Sequence, residues 1–243
     1  MATRTPVHFA FNTFGLKRVM LDHERNEHRL FHEDIEHGRQ SLDPDKCREP
    51  LGYFHRGGPV SDALEVLAGA GDIAVIGLGV GSAVGHLRPG QRMVFLEIDP
   101  DMVRIAHDHF TYLAQAPGPV EVRIGDGLAL MQAATEHFGT VVMDAFDLHH
   151  VPAHLISPAA LETYFQRLVP GGVVILAATH YEDAVLPVLR AHAQALGLAL
   201  ATRIEHLTAE EEQTSDAQLA RFVVLARDAA TLAPLLARPG WTT

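Results

Sequence analysis

The chain is expected to fold as an α/β protein, a mostly parallel sheet with helices on both faces, behind a small β-rich N-terminal unit. Three observations lead there. From Asp72 to Asp99 the sequence runs apolar strand, glycine cluster, short helical segment, second apolar strand and acid, the order of a nucleoside-binding βαβ turn. From residue 72 onward, short apolar runs alternate with amphipathic stretches, as in successive parallel β-α units. Residues 1–58 lack that alternation and read as short extended runs ending in a loop.

In order, Val7 to Phe14, Lys17 to Leu21 and Arg29 to Phe31 are β-like, with the polar stretch Asp22 to Glu27 as a turn, which predicts a small antiparallel hairpin unit. Pro50, Gly52, Gly57, Gly58 and Pro59 mark a loop that also carries Tyr53, His55 and Arg56. An aromatic, an imidazole and a guanidinium just ahead of a binding domain make that loop a candidate substrate cover. Ser61 reads as the N-cap of a helix to about Leu67, so the main domain is placed at 59–243. Strands follow at Ile73 to Ile76, Met93 to Leu96, Val120 to Ile124, Thr140 to Met143 and Val173 to Ala177. Between them, helices are predicted from Pro100 to about Leu113, from Ala129 to His137, and after Ser157, where Leu161, Tyr164, Phe165 and Leu168 share a face. A helix over Glu182 to Leu196 and strands at Leu198 to Ile204 and Arg221 to Ala226 complete the pattern; the acidic stretch from Glu210 to Asp216 reads as a solvated loop or helix.

Composition narrows the function. Of 243 residues, 30 are acidic and 19 basic, a net charge of −11, which argues against nucleic acid as a partner. The charge suits a cationic substrate, and it equally suits plain solubility. Cys47 is the only cysteine, so no intrachain disulfide is possible. No apolar run approaches the roughly 20 residues that span a bilayer, and no signal-peptide core is seen at the N-terminus. A soluble, cytoplasmic protein without membrane association is expected. The sixteen histidines raise the question of a metal. Pro152 interrupts the His150/His154 pair and His107 and His109 diverge on a helix, so no metal site is assigned.

The chemistry gathers at strand ends, where ligands bind in parallel α/β sheets. Gly77, Gly79 and Gly81 follow the first strand and admit a ligand close to the backbone. Glu97 lies 18 positions after Gly79, near the spacing of about 20 at which an acid meets ribose hydroxyls. Asp126 and Asp144 end the next two strands, and Asp126 taken alone reads equally well as a helix cap.

These linked motifs, Gly77-Leu78-Gly79-Val80-Gly81, Glu97-Ile98-Asp99, Gly125-Asp126-Gly127 and Asp144-Ala145-Phe146-Asp147, resemble the spermidine synthase family of the class I S-adenosylmethionine-dependent transferases. Val151 to Ile156 is similar to a bacterial spermidine synthase-like branch. The resemblance implies a Rossmann-like class I methyltransferase fold with a mostly parallel seven-stranded sheet, a homodimer, and an S-adenosylmethionine or decarboxylated S-adenosylmethionine co-substrate. It assigns Glu97 to the ribose, Asp126 to the adenine amino group, and Gly77, Gly79, Gly81, Ile98 and Gly127 to the same ligand. It makes Asp144 the catalytic acid that orients and deprotonates an attacking amine and Asp147 its partner in holding that amine. Tyr53, His55 and His149 are candidate substrate contacts, and His150 and His180 are candidates for the same rim. Val80 stands where polyamine synthases carry an acid, and Val75 stands where many methyltransferases do. Aminopropyl transfer to an amine is the expectation. Methyl or other alkyl transfer to a small metabolite, with Arg56 facing a carboxylate, is the alternative, and a non-catalytic adenosyl-binding protein is a third reading.

Overall fold

The computed structural model describes residues 4–67, 71–146, 151–178, 182–205, 207–208, 217 and 219–243. Two sheets organise it. The first is an antiparallel meander of β1 (Arg4–Asn12), β2 (Gly15–Asp22), β3 (Glu27–His32) and β4 (Ile35–Ser41). β4 is a strand that hydrophobic patterning does not reveal. Its Arg39, Gln40 and Ser41 are all buried, and ion pairs from Arg39 to Glu27 and Glu36 do what apolar side chains do elsewhere.

The second sheet comprises β5 (Ile73–Ile76), β6 (Met93–Glu97), β7 (Val120–Ile124), β8 (Phe138–Met143), β9 (Leu168–Ala177), β10 (Ala199–Glu205) and β11 (Ala220–Ala226), in the order β10-β11-β9-β8-β5-β6-β7. The five strands from β7 to β9 are parallel, and β11 runs antiparallel to both its neighbours. Alternate residues of the buried strands feed two cores. Val75, Phe95, Val142 and Ile175 face one side; Ile76, Leu96, Met143 and Leu176 face the other. The helices are α1 (Pro59–Leu67), α2 (Pro100–His109), α3 (Gly127–Ala133), α4 (Pro158–Gln166), α5 (Glu182–Ala195) and α6 (Ala229–Leu236). This is the predicted doubly wound arrangement, with seven strands.

Several boundaries differ from expectation, each for a local reason. α1 begins at Pro59, which suits a first helical turn, so Ser61 lies inside the helix and does not cap it. α2 stops at His109, four residues early, because the Gln40 side chain accepts from the Thr111 amide and donates to the Thr111 hydroxyl (2.8 Å each) and draws the chain out of the helix. α3 begins earlier and ends earlier than predicted: the Asp126 cap starts it at Gly127, and Ala134 is already extended. β9 extends back through Gly171 and Gly172 to Leu168. The predicted caps Asp99 and Ser157 do accept amide hydrogen bonds at the starts of α2 and α4. No helix among the described residues is long and apolar enough to cross a membrane.

From β5 the chain adds β6 and β7 on one side, then crosses back to place β8 on the other. The crevice beyond β5 and β8 is therefore a topological switch point, where two loops leave in opposite directions and open space for a ligand. The first sheet is docked beside it. Asn12 donates to Asp99 and Asp101 (2.8 Å each), and the fully buried Lys17 pairs with Asp99.

Candidate active site

A cleft of about 990 Å³ occupies the switch point. Its floor is the turn after β5. Gly77 has φ +96°, and a Cβ there would sit 2.2 Å from the Asp144 carbonyl oxygen, so only glycine lets β5 and β8 end side by side. Gly79 also lines the cleft, with the His37 carbonyl 3.0 Å from where its Cβ would be. Gly81 faces the Leu113 side chain and is not in the lining, and the Val80 side chain is buried beneath Gly38 of β4.

Glu97 closes β6 from within the cleft wall. One of its oxygens accepts the Leu78 amide (2.9 Å) and the other the Asp99 amide (2.8 Å). Burial pushes its pKa up, opposed by these amides. Each oxygen keeps a second lone pair, the arrangement a vicinal diol can meet. Asp126 and Gly127 follow β7, with the exposed Ile98 beside them. Asp126 is a helix cap, accepting the Ala129 amide (2.9 Å), and its second oxygen meets His154 Nε2 at 2.9 Å. Burial alone would raise its pKa, but the amide and the imidazole outweigh it and hold the carboxyl below its usual value. His154 is a site residue that the pattern of acids and glycines does not single out, although it lies within the Val151 to Ile156 motif.

Asp144 ends β8 at the far side of the floor. The Tyr53 hydroxyl donates to one carboxylate oxygen at 3.0 Å. The other is buried and has no hydrogen-bond partner among the described residues. Burial pushes the Asp144 pKa up to about 8; the Tyr53 hydrogen bond works against this, and the charge of Glu97 adds to it. Burial and Asp144 together hold the Tyr53 phenol protonated, so it remains a donor, braced by the rings of Phe54 and Phe222.

Tyr53 is thus brought to Asp144, but its neighbours are not. His55 donates from Nδ1 to the Gly52 carbonyl (2.9 Å), lies 3.3 Å from Glu205 and packs against Gly58. Arg56 is held by Glu49 (2.6 Å) and the Gly85 carbonyl (3.1 Å) and does not line this cleft, so it does not face a ligand carboxylate there as the alternative reading has it. Asp147, His149, His150 and His180 lie outside the described residues. The first sheet and its hairpin turn contribute what sequence reasoning missed. Asn12, Phe14, Lys17, His32 and His37 all line the cleft opposite the glycine turn.

These residues fit an adenosyl group. The floor admits a backbone-hugging ligand, Glu97 offers paired acceptors, Ile98 and Leu155 offer apolar contact, and Asp144 holds an unsatisfied buried oxygen. The architecture is that of the class I S-adenosylmethionine-dependent transferases. No family model matches the chain. The chain is similar to a polyamine aminopropyltransferase of Vibrio vulnificus (strain CMCP6), 31% identical over 109 residues, which are 42% of this chain and 36% of that protein. The match thus spans about a third of the relative's length. A spermidine synthase solved in complex with the transition state analogue AdoDATO superposes with a TM-score of 0.71 at 11% identity, covering 97% of this chain and 79% of that one. An O-methyltransferase from Bacillus cereus solved in complex with SAH gives 0.51 at 20% identity, over 70% of this chain and 82% of that one. The architecture shared with the spermidine synthase therefore extends over nearly the whole chain.

Proposed function

We propose that this protein is an alkyl transferase that uses an adenosyl sulfonium donor and an amine acceptor, with Asp144 as the base. The observation that carries the reading is Asp144 at the switch point, oriented by Tyr53 through one oxygen and open at the other. A bound sulfonium supplies an electrophilic carbon and a thioether leaving group.

The protein's part is to hold and deprotonate. An amine reaches the cleft as an ammonium and must lose a proton before it attacks. Asp144 can bind that ammonium through its open oxygen, and the pairing favours the carboxylate form. A base whose pKa is lifted toward about 8 is better matched to an amine than an ordinary carboxylate. Tyr53 keeps the accepting oxygen aimed while the proton transfers. Glu97 and the Gly77 to Gly79 turn fix the donor, so that positioning supplies much of the acceleration.

Aminopropyl transfer is the reaction that the names of the polyamine aminopropyltransferase and the spermidine synthase suggest. A second reading, in which the donor is intact S-adenosylmethionine, is favoured by Val80, whose buried side chain leaves no acid at the turn for a cationic tail. Purified protein given either donor with putrescine, spermidine or other amines should release methylthioadenosine or S-adenosylhomocysteine. Asp144→Asn should lower that release by about 10²–10⁴-fold while methylthioadenosine still binds. Binding without release for any amine and either donor would refute the enzymatic reading and leave an adenosyl-binding protein.

A further inference from the structure

We infer that His154 is a positioning residue: it donates its Nε2 hydrogen to Asp126 and so aims the remaining lone pair of that carboxylate oxygen at the exocyclic amino group of the bound base. This rests on the adenosyl reading above and gives the cleft a means of telling an amino-bearing base from an oxo-bearing one.

Topology makes the contact informative. Asp126 follows β7, and His154 lies after β8 in a short 3₁₀ turn, Ala153–Ile156. In the sheet β7 and β8 are separated by β5 and β6, so the hydrogen bond reaches across the carboxyl ends of both intervening strands. Pro152, His154 and Leu155 line the cleft together with Asp126 and Gly127. With the ribose at Glu97 on β6 and the tail along the Gly77 to Gly79 turn after β5, the base extends toward β7. There Asp126 and His154 stand at its edge, and Ile98 and Leu155 offer apolar walls. The amino group is the only N–H donor that a nucleoside's adenine presents, so a carboxylate acceptor can meet the base only there.

Both partners stand on fixed backbone. Asp126 Oδ1 accepts the Ala129 amide (2.9 Å), which leaves Oδ2 for His154 Nε2 (2.9 Å). The turn that carries His154 is tied at three successive carbonyls. Ser157 Oγ donates to that of His154 (3.0 Å), the Tyr164 hydroxyl to that of Leu155 (2.9 Å), and His192 Nδ1 to that of Ile156 (2.9 Å). Burial raises the Asp126 pKa, but the Ala129 amide and His154 bring it below its usual value. The carboxylate is therefore ionised and only accepts, which makes His154 Nε2 the donor. Oδ2 then has one lone pair on the imidazole and one left for the base. An oxo group in place of the amino group would set an acceptor against an acceptor. The side chains of His154 and Asp126 are 54% and 37% exposed. Without the imidazole, Oδ2 is thus free to turn toward water while Oδ1 still caps α3, and the fold does not depend on the contact.

Calorimetric titration with two non-reactive probes tests this: methylthioadenosine, and methylthioinosine, which carries an oxo group in place of the amino group. The wild-type protein should bind methylthioadenosine about tenfold or more tighter, as for a hydrogen bond to a charged acceptor. His154→Ala should bring that preference within about threefold by weakening methylthioadenosine alone, with methylthioinosine affinity unchanged as the sign that the cleft is still folded. His154→Gln, whose side-chain amide keeps a donor for Oδ2, should restore part of the preference. A preference that survives His154→Ala, or a loss of equal size for both probes, overturns the positioning role. Equal binding of the two probes by the wild-type protein overturns it as well, since Asp126 then reads no amino group. Failure of the wild-type protein to bind either probe overturns the adenosyl reading itself.

Discussion

Burial holds the Asp144 carboxyl near 8, against an ordinary value of 3.8, and this ties stability to reactivity at one residue. In the unfolded chain the group ionises near pH 4; in the folded chain it resists ionisation until about 8. Folding is therefore unpenalised below pH 4 and loses stability progressively as the pH rises from 4 to 8, by an amount on the order of a few kcal/mol. Asp144→Asn should abolish that loss. In urea denaturation the variant and the wild type should be closely matched at pH 4, and the variant should be the more stable at pH 8. A wild-type profile that does not fall relative to the variant would mean that the carboxyl is not desolvated. Asp126 differs in kind. One of its oxygens caps α3 and the other meets His154, so capping the helix does not use up the carboxylate. Sequence spacing places both acids at strand ends, because a residue that follows an apolar run must lie at its end. It does not show that one is satisfied and the other is not.

Among the elements, the β1–β2 hairpin is fastened to the start of α2 by a single buried charge pair. Lys17 is fully buried and Asp99 nearly so, and Asp99 also accepts from Asn12 and caps the helix. Lys17→Met removes the cation and leaves a buried carboxylate uncompensated, which should cost about 3 kcal/mol or more in denaturant unfolding. The same variant should weaken adenosyl binding, because the hairpin carries one wall of the cleft. A loss below about 0.5 kcal/mol, the range of ordinary surface substitutions, would show that the pair contributes little. The hairpin is legible in the sequence as strands, but its role is not. Lys17 and His32 are fifteen residues apart in the chain and become neighbours only through strand register.

For the molecule as a whole, the C-terminal segment closes the fold outside the cleft lining. Asp62 of α1 accepts from Arg203, Arg238 and the Trp241 indole, at 2.5, 2.6 and 3.2 Å, and Trp241 itself is packed into the core. Trp241→Ala should destabilise the protein by about 3–5 kcal/mol while leaving methylthioadenosine affinity unchanged, a separation that thermal melts with and without ligand would read. A matching loss of affinity at temperatures where the variant is folded would show that this end of the molecule is coupled to the cleft.

Local sequence was enough to establish the alternation of strands and helices, the parallel sheet, and the acids and glycines at its carboxyl edge. Hydrophobic period and the turn that each glycine permits carry these properties, and both act over a few residues. Other features emerged only from how the segments pack. Val80 turns into the core under Gly38, His55 and Arg56 point elsewhere while Tyr53 reaches Asp144, and His32 and His37 form a wall of the cleft. Those outcomes depend on which face a side chain takes and which distant strand lies against it. Packing and register between segments far apart in the chain set that phase, which no local pattern encodes.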